Sequence, residues 1–150
     1  MRRRGIAVTL VVATGVGMLT ACSPTGTCVS WHDYDSPQAL FDDTRLVVVG
    51  TAEPTGETRD VIGVPMPVYR IDVEETLKGE APDPLEVTSA PLTCMGDASE
   101  LPDGVNPFET PDELILFLYA DTGGWRAMSP FDGVLAMPAD GVLPFERPDR

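Results

Sequence analysis

The sequence predicts an all-β domain, a barrel or a sandwich carrying one short helix, and three observations predict it. Leu46-Val47-Val48-Val49 and Leu114-Ile115-Leu116-Phe117-Leu118-Tyr119 are short apolar runs, and each reads as a central strand buried on both faces. Tyr69, Ile71 and Val73 alternate with Arg70, Asp72 and Glu74, the period of a half-buried strand. Gly and Pro recur between and after these runs and break the chain into short segments.

Taken in order, Ser36-Pro37 offers an N-cap and a first-turn proline, so a helix is expected over Pro37 to Asp43. Thr44 to Glu53 is the first strand, with Gly50 marking a bulge or a close approach. Pro54-Thr55-Gly56-Glu57 reads as a turn. Val61 to Thr76 is extended, and Pro65 and Pro67 put its start on an edge or a bulge. Pro82 and Pro84 flank a turn before a short strand, Leu85 to Thr88. Residues 90–112 form a long loop, and loops of that length are usually functional or mobile. Glu113 to Ala120 is the second strong strand. Asp121 to Gly124 is a turn, followed by short strands at Trp125 to Ser129 and Val134 to Met137 around the turn Pro130 to Gly133. Residues 144–150 read as a flexible tail. Asp-Gly-Val recurs at 103–105, 132–134 and 140–142, but the spacing is uneven and fits glycine turns rather than a calcium loop.

Ahead of all this, Met1-Arg2-Arg3-Arg4 is a basic start, and an apolar stretch runs from Ile6 to Leu19. That stretch is short for a membrane span and suits a secretory signal. With Leu19-Thr20-Ala21-Cys22 it resembles the leader of bacterial lipoproteins. The resemblance implies cleavage after residue 21, a diacylglycerol on Cys22, and a polar tether over residues 22–27. Cys22 is then the lipidation site, and the membrane is a partner through the lipid. Arg outnumbers Lys, and Ala, Gly, Pro, Val and Asp abound, as in a high-GC coding genome. The expected location is therefore the outer face of a bacterial plasma membrane.

Removing the leader takes three of ten Lys+Arg and none of 24 Asp+Glu, for a mature net charge of −17. Such a chain repels nucleic acid and anionic lipid headgroups. With Cys22 acylated, Cys28 and Cys94 remain. In an oxidising compartment a disulfide is their default, with a thiolate metal site or a nucleophile as alternatives. A bridge closing so long a loop contributes about 4 kcal/mol in the chain-entropy model.

The cysteine arm, the short helix, Asp43-Thr44-Arg45-Leu46-Val47-Val48-Val49-Gly50, Tyr69-Arg70-Ile71-Asp72-Val73 with Leu77-Lys78-Gly79, the cysteine loop and Leu114-Ile115-Leu116-Phe117 together resemble the netrin-type module. That module is the OB-fold barrel shared with tissue inhibitors of metalloproteinases. The resemblance covers residues 28–138 and implies a five-stranded OB-like barrel, with arm and helix docked and Cys28 bridged to Cys94. The barrel domain is drawn over 28–143. Animal modules begin Cys-x-Cys, whereas Cys28-Val29-Ser30 has only the first cysteine. Metalloproteinase inhibition needs a free N-terminal cysteine, so the inhibitory residues are not carried over.

No enzyme is expected. His32 is the sole imidazole, and no glycine-flanked serine, phosphate loop, dinucleotide fingerprint or metal-spaced motif accompanies it. No cofactor and no metal ligand are assigned. Trp31, His32, Tyr34 and Trp125 form the candidate ligand surface, for a protein or a cell-wall glycan, with core or rim packing of the two Trp as the alternative. The functional expectation is a lipid-anchored binding module. A metal- or ligand-handling lipoprotein using the acidic loops is the second reading, and an envelope hydrolase the third.

Overall fold

A computed structural model describes residues 31–90 and 106–147. The leader, the tether, Cys22, Cys28, Cys94 and residues 148–150 lie outside them, so lipidation and the disulfide are expectations on which these residues are silent.

Among the described residues, six strands follow one α-helix: α1 (Pro37–Asp43), β1 (Leu46–Val61), β2 (Val64–Lys78), β3 (Leu85–Thr88), β4 (Leu114–Asp121), β5 (Gly124–Ala127) and β6 (Val134–Ala136). They are ordered β1-β2-β3-β5-β4-β6, and β1 also pairs with β4. The ring β1-β2-β3-β5-β4 is therefore a closed five-stranded barrel of OB-like topology, and β6 adds to it beside β4. The β3–β5 pairing is parallel; the others are antiparallel.

The two apolar runs are apolar on both faces because each face is covered. Leu46, Val48, Leu114, Leu116 and Leu118 point into the barrel with Tyr69, Ile71, Leu85 and Val87. Val47, Val49, Ile115 and Phe117 point outward, under Leu40 and Phe41 of α1 and under Phe145. Helix α1 starts as its sequence predicts: Ser36 Oγ accepts from Ala39 N at 3.2 Å and Pro37 opens the first turn. Its far end is held by the chain's single lysine. Lys78 Nζ donates to the Phe41 and Asp42 carbonyls at 2.7 and 2.9 Å, satisfying groups a helix C-terminus leaves open.

Two expectations are corrected. The turn at residues 54–57 is instead part of β1, which runs on to Val61 through a register shift between Pro54 and Thr58. The reversal comes at Ile62-Gly63, with φ of 57° and 80°, the pattern of a type I′ turn. Thr55 Oγ1 donates to the Val68 carbonyl at 2.9 Å, so the polar sequence that resembled a turn is spent on a bulge. The expected loose tail is docked as far as Arg147. Phe145 stacks on Phe41 at 4.5 Å and meets Phe117 edge-on at 5.6 Å. Glu146 N donates to Gln38 Oε1 at 2.7 Å, and Arg147 reaches Glu75 at 2.6 Å. The tail is short and polar in sequence, and its one aromatic completes the outer layer over β1 and β4.

Candidate functional site

The four residues of the expected ligand surface are not brought together. Strand alternation puts Trp125 and Arg126 on opposite faces of β5. Trp125 packs against the barrel interior. Trp31 lies outside the barrel, with the Arg126 guanidinium 5.4 Å from its ring centroid. The same guanidinium sits 4.9 Å from the Tyr119 ring, and Arg126 Nε donates to Asp121 Oδ2 at 3.1 Å. The arm therefore docks through a cation between two aromatic rings, a contact of about 0.5–2 kcal/mol. The indoles do not share a platform.

His32 and Tyr34 do meet, edge to face at 4.7 Å. Tyr34 Oη donates to Asp43 Oδ2 at 2.7 Å. Burial first, then the Asp43 carboxylate, pushes the Tyr34 phenol up to about 12, so it stays a donor across the neutral range. Asp132, in the turn before β6, is raised above the ordinary carboxyl range by burial and then by the charge of Asp33. Phe131 beside it is 43% exposed.

The second constellation is the long β1–β2 hairpin. Arg59 ion-pairs with Glu86 at 3.5 Å, and Arg70 reaches the other Glu86 oxygen at 3.6 Å. The Arg59 guanidinium lies on Gly124: a Cβ there would fall 2.7 Å from its terminal nitrogen. The hairpin tip thus rests on the β4–β5 turn, the two connections that flank the ligand face in OB barrels. Ile62, at the tip, is 51% exposed and left-handed. A β-branched residue is unfavourable there, and the backbone costs an L-residue roughly 1–2 kcal/mol.

The third is Tyr69, with Asn106 and Glu109. Tyr69 stacks on Phe108 at 4.8 Å inside the barrel. Its hydroxyl accepts from Asn106 Nδ2 at 2.9 Å and donates to Glu109 Oε1 at 3.3 Å. Burial, then the Glu109 charge, pushes Tyr69 up to about 12. This trio closes the barrel rather than offering a reactive group. Sequence reasoning left it inside the long loop, although Asn106-Pro107 repeats the cap-then-proline signal of Ser36-Pro37. The Arg126 contacts carry no local signal at all.

Among the described residues no group of three or more His, Cys, Asp and Glu is placed to hold a metal ion, and no helix is long and apolar enough to cross a membrane. No protein-family model, no curated protein and no solved structure matches the chain.

Proposed function

We propose that this chain is a lipid-anchored, non-enzymatic binding module at the outer face of a bacterial plasma membrane. The observation that carries the proposal is the coincidence of Arg2-Arg3-Arg4, the Ile6–Leu19 run and Leu19-Thr20-Ala21-Cys22 ahead of a β-barrel domain. Cys22 receives the lipid, Cys28 and Cys94 bridge, and the barrel is a netrin-like module. Its OB-like topology supports that last reading at the level of strand order.

The partner is a protein or a cell-wall glycan, and the geometry favours the protein. A sugar platform needs exposed rings side by side, whereas Trp31 covers Arg126 and Trp125 faces inward. The mature charge of −17 selects a basic partner surface. Cys22→Ser tests the anchor in cells of the producing organism. The expected result is loss of the chain from the membrane fraction and its appearance in the medium. Retention of the variant in the membrane would overturn the proposal.

A further inference from the structure

We infer that the barrel end bearing Trp31, Tyr119 and Ile62 rests on electrically neutral lipid headgroups beside its own anchor, an inference that depends on the lipidated Cys22 proposed above. Reach supports it. Trp31 stands nine residues after Cys22, a length that spans at most ~30 Å when fully extended. A domain of this size has a radius of gyration of about 13 Å, which makes it roughly 34 Å across and wider than that reach, so the end where Trp31 docks is the one held nearest the lipid.

Contacts then link that place to the hairpin tip. Trp31 lies on Arg126 of β5. Two residues earlier, Gly124 carries the Arg59 guanidinium. Three residues beyond Arg59 is Ile62, exposed and held left-handed at a turn where Asn would relax the backbone. About half of Ile62 stays open to solvent. An exposed Ile at the same barrel end as Trp31 and Tyr119 matches the composition that settles at a bilayer interface.

Charge selects the lipid. Arg126 is paired with Asp121 and Arg59 with Glu86, while Asp60 stands in the hairpin tip and Asp33 follows Trp31 by two residues, so this end carries no surplus of cations. That arrangement opposes an anionic surface and tolerates a zwitterionic one. Affinity need not be high, because the anchor makes the contact intramolecular.

The test uses the full lipidated chain reconstituted into phosphatidylcholine vesicles, with and without bromine on the acyl chains. In Ile62→Trp, the emission added to that of Trp31 and Trp125 is expected at short wavelength and quenched by bromine. Ile62→Asn keeps the fold and lowers the docked-to-undocked ratio by roughly four- to thirteen-fold, the factor supplied by burying the exposed half of one Ile. This loss is read from Trp31 quenching. A chain whose mass shows no acyl group on Cys22 overturns both the anchor and the lipid contact. An acylated chain whose added indole emits as in water overturns the contact alone. Quenching confined to anionic vesicles, or capture of a protein at position 62 with no quenching, also overturns it.

Discussion

At Gly50 the chain has no room for a side chain. A Cβ there would fall 2.2 Å from the Asp72 carbonyl oxygen, where the β1–β2 register shifts between Val49 and Gly50. Gly50→Ala must push a backbone strand aside, and overpacking of this kind costs about 1–3 kcal/mol. A fall of that size in unfolding free energy is expected from denaturant titration. Glu113 sets a second residue-scale constraint. Desolvation, and then the Glu74 carboxylate beside it, raise its pKa above the ordinary range. The folded chain therefore holds this proton at a pH where the unfolded chain has lost it. Stability falls as pH rises through the window between the unfolded and folded values. Glu113→Gln is expected to melt above the wild type at neutral pH and alongside it in acid. Equal melting at both would show that the two carboxyls do not interact.

Among the elements, α1 and the tail form one unit. Gln38 donates to the Glu146 carbonyl at 3.3 Å and accepts from its N–H at 2.7 Å, and Phe145 fills the space beside Phe41. Phe145→Ala removes a large buried ring and is expected to cost about 3 kcal/mol, read as a lower denaturation midpoint. A midpoint within error of the wild type would mean that the tail does not hold the outer layer. The hairpin makes the opposite prediction. Ile62→Asn places a residue suited to the left-handed turn and is expected to raise the melting temperature. The helix, the β3 strand and the two apolar strands were legible because their signals are local: a cap with a proline, alternation, and β-branched runs. The β1 extension was not, because Pro54-Thr55-Gly56-Glu57 carries turn chemistry that the fold uses for a bulge. Phe145 was not, because its reason for being buried lies on residues 41 and 117. The candidate ligand surface was half legible. His32 and Tyr34 adjoin, while the separation of Trp31 from Trp125 depends on which face of β5 each takes.

At the scale of the molecule, the described residues form a barrel with two cores, one inside the ring and one outside it under α1 and residues 144–147. The outer core explains why strands with two apolar faces form an OB-like ring instead of a sandwich. The chain's formal net charge of −14 repels polyanions such as nucleic acid. The proposed anchor fixes where the barrel works, and the intact mass of the chain purified from membranes reads it out. The expected mass is that of a chain beginning at Cys22, carrying a diacylglycerol there, and lacking two hydrogens for the Cys28–Cys94 bridge. A chain that retains residues 1–21, or one that begins elsewhere with an unmodified Cys22, would contradict it.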